Sequence, residues 1–351
     1  MPICVNVWSK YLSQEEVMNN DQNKTLAPIL VTGATGQHGG TGAYVVEALR
    51  KAGRSVRVLA RKHSAQTKIL KDLGAEIILG DFHDRQSLLP AFDGVSTATF
   101  TYPINAGVVE AAAAFASVAR EKGTSRIIVT SMGPAHPQSP SHLGRAQWLA
   151  EEILAWAGLD LCVLRIAALF FENIPILHAK SIREEGVIRN SFGEGKVPWI
   201  SGLDAARLVV AGILHPERFG AGAIHYPPGA EYLSHAEMAE TLGNALHRPL
   251  RFEAISKEAW TKELTALATE NTGGLINADM AKHISAVGAA LASSTKGPIV
   301  PPDRKKLASL VGSSPLTFQD FLARSKKEKR EQASFPSLET DAMSGSIVLD
   351  L

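Results

Sequence analysis

Between Ile29 and Arg165, short apolar runs alternate with amphipathic stretches, and the alternation predicts the elements in turn. Strands are expected at Ile29–Thr32, Ser55–Ala60, Ala75–Leu79, Val95–Phe100, Arg126–Thr130 and Asp160–Arg165. Helices are expected at Thr41–Ala52, Ala65–Leu73, Arg85–Ala91, Asn105–Lys122 and His142–Trp156. Strands that alternate with helices in this way form a parallel sheet covered on both faces. Right-handed crossovers favour the order 3-2-1-4-5-6, a doubly wound α/β fold of the Rossmann type. Residues 1–27 read as a leader and 28–168 as the nucleotide-binding domain. Residues 169–323 read as a smaller α/β substrate lobe interleaved with it, and 324–351 as a charged, low-complexity tail expected to be disordered.

Chemistry enters at the first strand-to-helix junction. Ile29-Leu30-Val31-Thr32-Gly33-Ala34-Thr35-Gly36-Gln37-His38-Gly39 runs from an apolar strand through glycines toward a helix carrying Tyr44, Val45, Val46 and Leu49. Such a turn needs glycine for its backbone angles and for close approach of a pyrophosphate to N–H groups, and the next helix aims its positive end at the phosphates. Gly33, Thr35, Gly36, Gln37, His38 and Gly39 are therefore the first cofactor candidates. Strand two ends Val58-Leu59-Ala60-Arg61-Lys62, with no acid where an NAD-binding protein grips the ribose hydroxyls. Arg61 suits a bidentate contact to a 2′-phosphate, with Lys62 adding a point charge, which points to NADP(H). Asp81 and Phe82 close strand three on the adenine side, and Asp81 doubles as a candidate helix cap before Asp84 and Ser87.

Composition narrows the classes. The chain has 351 residues, 45% hydrophobic and 20% charged, with net charge +1, so neither nucleic acid nor a membrane surface is an expected partner. No apolar run is long enough for a membrane span and the first residues lack a signal-peptide core. Cys4 and Cys162 form neither a metal spacing nor a disulfide framework. A cytoplasmic, metal-free monomer or homodimer acting on a small molecule is the expectation.

Further short motifs follow in order: Val56-Arg57-Val58-Leu59-Ala60-Arg61, Gly74-Ala75-Glu76 with Gly80-Asp81, and Gly158-Leu159-Asp160 with Leu164-Arg165. Then come Phe170-Phe171-Glu172-Asn173, Pro198-Trp199-Ile200 with Asp204-Ala205-Ala206, and Pro315-Leu316-Thr317-Phe318-Gln319-Asp320-Phe321. With Thr32-Gly33-Ala34-Thr35-Gly36, this series resembles the NmrA-like branch of the atypical short-chain dehydrogenases/reductases, over about residues 28–322. The resemblance implies the Rossmann fold, an NADPH preference and a C-terminal substrate lobe. It extends to quinone, triphenylmethane-dye and imine or enone reductases, and to redox sensors that bind dinucleotide without turnover.

The chain departs from that pattern twice. Gly39-Gly40-Thr41-Gly42 lengthens the glycine loop, so either Gly39 or Gly42 can be the glycine on which the helix packs. The Tyr-x-x-x-Lys pair of short-chain dehydrogenases is missing, and Gln147 falls at the usual lysine. His142 is then the best proton donor, or a helix cap, with Arg145 one turn away and His136 in the preceding loop as a weaker candidate. Ser131 stands where a serine polarises a substrate carbonyl, or else bonds local backbone. Thr101 and Tyr102 are expected to flank the nicotinamide, with Tyr102 a second candidate donor. Phe170, Phe171 and Asn173 are expected on the substrate wall, with Trp199 and His178 as further pocket candidates.

Three functional readings follow. The first is an NADPH-dependent reductase of a small apolar carbonyl, enone, imine or quinone. The second is an NADP(H)-binding sensor without turnover. The third is a non-redox isomerase, epimerase or cyclase on the same fold.

Overall fold

The computed structural model describes residues 27–36, 41–166, 169–219, 224–225, 229–270, 276–293 and 302–325. Residues 1–26 of the leader, 326–351 of the tail, and Gln37, His38 and Gly39 lie outside the described residues, while 324 and 325, expected in the tail, are helical. The first half runs β1 (Ile29–Val31), α1 (Thr41–Lys51), β2 (Val56–Ala60), α2 (Ala65–Asp72), β3 (Glu76–Leu79), α3 (Arg85–Leu88) and β4 (Thr97–Thr101). It continues through α4 (Val108–Glu121), β5 (Arg126–Met132), α5 (His142–Trp156) and β6 (Asp160–Ile166). The second half adds β7 (Leu169–Phe170), α6 (Asn173–Glu185), β8 (Val187–Asn190), β9 (Lys196–Ile200), α7 (Gly202–Leu214) and β10 (Ile224–His225). After them come β11 (Glu231–Ser234), α8 (His235–Leu246), β12 (Arg251–Ala254), α9 (Lys257–Thr269), α10 (Ala278–Ala292) and α11 (Arg304–Val311), then a helix α12 over 318–325.

The main sheet is parallel in the order β3-β2-β1-β4-β5-β6, extended by the two-residue β10 beside β6. The expected strand order is present, with one extra strand returned from the second half. Alternation along β1 shows why both faces are covered. Ile29 and Val31 pack with Val45, Val46 and Leu49 of α1 and Leu208 and Val209 of α7, whereas Leu30 faces Phe115 and Val118 of α4 and Ala150 and Leu154 of α5.

A third apolar cluster lies in the second half. Phe171, Trp199, Phe318 and Phe321 pack with Ile174 and Ile182 of α6 and Met238 and Leu242 of α8. Around it β11-β9-β7 form a small sheet and β8 pairs with β12. A fourth cluster joins Leu177, Trp260, Leu264 and Met280, with Ile104 from the loop after β4 packed against it. Among the described residues no helix is long and apolar enough to cross a membrane.

Candidate functional site

The site is built at the C-terminal edge of the main sheet, where loops leave parallel strands and a crevice opens. Thr32 fastens β1 to β4: its N–H donates to Thr99 Oγ1, and its hydroxyl donates to Thr99 O and accepts from Thr101 N–H, all at 2.9 Å. Gly33 then turns the chain with φ +73°, and a Cβ there would lie 2.8 Å from Thr101 Cγ2. Gly36 N–H closes the turn on Gly33 O at 3.0 Å. Gly42 packs closely on the turn: a Cβ there would sit 2.5 Å from Ala34 Cα and 2.6 Å from Gly33 O. The first turn of α1 thus rests directly on the glycine turn. Among the described residues, a Cβ at Gly36 would meet only Gly33 O, at 3.1 Å.

Arg61 and Lys62 leave β2 exposed, and neither side chain makes a hydrogen bond or ion pair with a described residue. The next helix is capped without them, by the Ser64–Thr67 capping box of α2. Asp81 is not a helix cap: its carboxylate accepts from the N–H of His83 at 2.9 Å, and Asp84 caps α3. Phe82 is half-buried, with its ring 5.6 Å from Phe100 and 5.8 Å from Tyr102. The Thr101 hydroxyl donates to Thr130 Oγ1 at 3.0 Å.

Tyr102 packs beside Phe82 and His83. Its hydroxyl donates to Ala106 O at 3.0 Å and is 2.9 Å from His83 Nε2. Burial raises its pKa, as do the nearby charges of Asp81 and Glu110, against the pull of Arg61. With its one proton engaged by Ala106, this tyrosine is a brace for the loop after β4, which speaks against the sequence expectation of a proton donor.

At the end of β5, Ser131 bonds neither local backbone nor open crevice. Its hydroxyl is buried and donates to Glu151 Oε1 of α5, and Glu151 in turn accepts from Arg165 Nε of β6 at 3.1 and 2.9 Å, with a further bond from Nη2. Burial raises the Glu151 pKa, opposed by the Arg165 and Ser131 hydrogen bonds. The polarising role expected of Ser131 is therefore replaced by a structural one. Glu151 and Arg165 were not singled out as site residues from sequence. The available signal was an acid four residues after Gln147 on a helix face otherwise apolar, with an arginine closing a buried strand.

Gln147 is on the same face of α5 and is 5% exposed, and its amide makes no hydrogen bond with a described residue. His142 is exposed at the first position of α5 and is not the cap, which is Ser141, whose Oγ accepts from Leu143 N–H at 3.2 Å. Ser141 Oγ also lies 2.7 Å from Nδ1 of the buried His283, whose pKa burial pushes down to about 4. Arg145 donates to Ser139 O at 2.6 Å, and His136 Nδ1 accepts from Gln138 N–H at 3.1 Å, both local loop contacts.

The aromatic wall expected from sequence divides. Phe170 and Asn173 are half-buried at the start of the second half. Phe171 and Trp199 are core residues instead: they are 0% and 1% exposed, their rings are 6.4 Å apart, and Trp199 Nε1 donates to Leu233 O at 3.0 Å. His178 is buried and stacked on Trp260 at 5.1 Å. Glu172 turns to the N-terminus of α7, where its carboxylate accepts from Gly202 N–H at 3.0 and 3.1 Å, and burial raises its pKa to about 7.

The parallel order, the glycine turn seated under α1 and the crevice at the strand ends define a Rossmann-type, doubly wound α/β protein. The model of the NmrA-like family matches residues 25–288, and the chain belongs to that family. It is 30% identical over 240 residues to the NAD(P)H azoreductase of Xenophilus azovorans, covering 68% of this chain and 81% of that one. Its fold is similar to that of an NADPH-dependent quinone oxidoreductase from Escherichia coli (TM-score 0.69, 23% identity, 84% of this chain and 98% of that one). It is also similar to triphenylmethane reductase from Citrobacter sp. complexed with NADP(H) (TM-score 0.69, 21% identity, 84% of this chain and 99% of that one).

Proposed function

We propose that the protein is an NADP(H)-dependent reductase of a small apolar carbonyl, enone, imine or quinone. The observation that carries this reading is the exposed Arg61–Lys62 pair at the end of β2, which makes no hydrogen bond or ion pair with a described residue, beside a glycine turn that has room for no side chain at Gly33. The geometry fits the dinucleotide: glycine backbone for the pyrophosphate, cations for a 2′-phosphate, and no acid to repel it at that strand end. The azoreductase, quinone oxidoreductase and triphenylmethane reductase relatives support reduction as the reaction class.

When bound, NADPH supplies a hydride. The protein's work is to bind, orient and exclude water. Arg61 would hold the 2′-phosphate, and the glycine turn that Thr32 and Gly33 form would hold the pyrophosphate. The buried Gln147 amide on α5, which makes no hydrogen bond with a described residue, is suited to orient the nicotinamide ribose or the substrate oxygen. The protons of Ser131 and Tyr102 are engaged by Glu151 and Ala106, so a proton comes from His142 or from solvent. Phe170 and Asn173, half-buried after β6, form the substrate side.

The test is NADPH oxidation against quinones, enones, imines, azo compounds and simple carbonyls. Turnover of at least one class is expected, and His142→Ala should cost roughly a hundredfold where His142 is the acid. Tight NADPH binding with no oxidation by any acceptor would instead support the sensor reading. The same engaged hydroxyls, and glutamine at the lysine position, favour that alternative.

A further inference from the structure

Resting on the dinucleotide reading, we infer that Glu172 is a positioning residue for the glycine turn, acting on it through the first turn of α7 and the first turn of α1. Glu172 stands between Phe171 and Asn173, just after β7. That segment is fastened to the junction of β9 and α7: Phe170 pairs with Ile200, and Phe171 N–H donates to Ile200 O at 3.0 Å. The buried Glu172 carboxylate carries the fastening further along, accepting from Gly202 N–H at 3.0 and 3.1 Å.

Gly202 opens α7, where backbone N–H groups have no partner within the helix. Ser201 Oγ accepts from the N–H of Asp204 at 3.0 Å, and Glu172 serves that of Gly202. The other acid at this helix end is engaged elsewhere. The Asp204 carboxylate accepts from the Ser201 hydroxyl, from Arg207 and from Leu316 N–H, each at 2.8 Å. Without Glu172, the buried N–H of Gly202 loses its partner, and the first turn of α7 must shift or fray to recover one.

The carbonyl of the same residue meets α1. Gly202 O accepts from the hydroxyl of Thr41, the first residue of α1, at 3.4 Å. Further along, the two helices share one apolar cluster, Val45, Val46 and Leu49 of α1 with Ala205, Leu208 and Val209 of α7. Beside Thr41, Gly42 is seated on Ala34 Cα and Gly33 O. A shift in the first turn of α7 therefore passes to the first turn of α1 and from there to the glycine turn. The part of the cofactor that would feel it is the pyrophosphate, which NADPH and NADH share. Arg61, at the end of β2, lies outside this path.

Calorimetric titration of the full chain with NADPH, NADH and adenosine 2′-monophosphate tests this on wild type, Glu172→Ala, Glu172→Gln and Thr41→Val. Glu172→Ala should weaken both dinucleotides by the same factor, about tenfold, and leave the mononucleotide, which has no pyrophosphate, as in wild type. Glutamine keeps an acceptor oxygen for Gly202 N–H, so Glu172→Gln should retain most of the affinity. Thr41→Val cuts the link at its second step and should also weaken both dinucleotides, and it decides the matter where Glu172→Ala does not fold. The losses of Glu172→Ala and Thr41→Val should not add in the double variant, because both act through one path. Wild-type dinucleotide affinity in either variant, a loss confined to NADPH, a parallel loss of the mononucleotide, an equal loss in Glu172→Gln, or additive losses would overturn the inference. Failure of the wild type to bind either dinucleotide would instead overturn the reading on which it rests.

Discussion

At the end of β5, Ser131 gives its proton to a buried carboxylate, and that carboxylate is held by Arg165 from the neighbouring strand. Removing one member of a buried pair leaves the other charge uncompensated, which costs about 3–5 kcal/mol. Glu151→Gln should therefore lose stability on that scale in urea denaturation, and Ser131→Ala only about 1 kcal/mol. Neither should change dinucleotide affinity; a large affinity loss in Ser131→Ala would return that hydroxyl to the site. The buried histidines have a consequence of a different sign. Burial pushes His178 and His235 down to about 3 and His283 to about 4, so all three are neutral in the folded protein at neutral pH. The unfolded chain binds protons at these residues below about pH 6.5, so stability is lost as pH falls from there toward the folded values. At about pH 5 the loss is about 2 kcal/mol each for His178 and His235. Glu172, raised to about 7, titrates with the opposite sign, as do Glu151 and Glu263, whose carboxyls burial also raises, and they offset part of this loss. Calorimetry should show the melting temperature falling between neutrality and about pH 5, less steeply in His283→Asn; a flat profile would contradict the assignment.

Among the elements, α1 sits directly on its glycine turn. Gly42→Ala places a methyl on Ala34 Cα and Gly33 O, an overpacking that costs about 1–3 kcal/mol and tilts the helix off its turn. Dinucleotide affinity should fall with it. Gly36→Val meets only one backbone oxygen among the described residues, so its fold should persist while binding is abolished; undiminished binding would misplace the phosphates. The sheet was legible because strand and helix periods alternate without interruption, and α5 matches its expected span, His142–Trp156. The close seating of Gly42 on Ala34 was not legible, since Gly39 and Gly42 both satisfy the motif in sequence and only the fold shows what Gly42 touches. Phe171 and Trp199 read as pocket walls because they follow strand ends. Their partners Phe318 and Phe321 arrive from far along the chain, and no local pattern reveals that meeting. Ser131 was misread for the same reason: its partner Glu151 is on the next helix, and the hydroxyl follows the nearest buried charge.

On the scale of the molecule, the parallel sheet brings Gly33, Arg61, His83, Thr101 and Tyr102 to one edge from strands that are distant in sequence. The second half contributes β10 to the same sheet, α7 against α1, and the apolar cluster that Ile104 joins from the loop after β4. The proposed substrate and cofactor sides would thereby share one continuous framework. The central claim is that Arg61 recognises the 2′-phosphate there. Calorimetric titration of the wild type and Arg61→Ala with NADPH and NADH measures it directly. NADPH should bind at least about tenfold more tightly than NADH, a difference of about 1.4 kcal/mol within reach of one charge-assisted bond, and Arg61→Ala should erase most of that ratio. Equal affinities for the two dinucleotides in the wild type would contradict it.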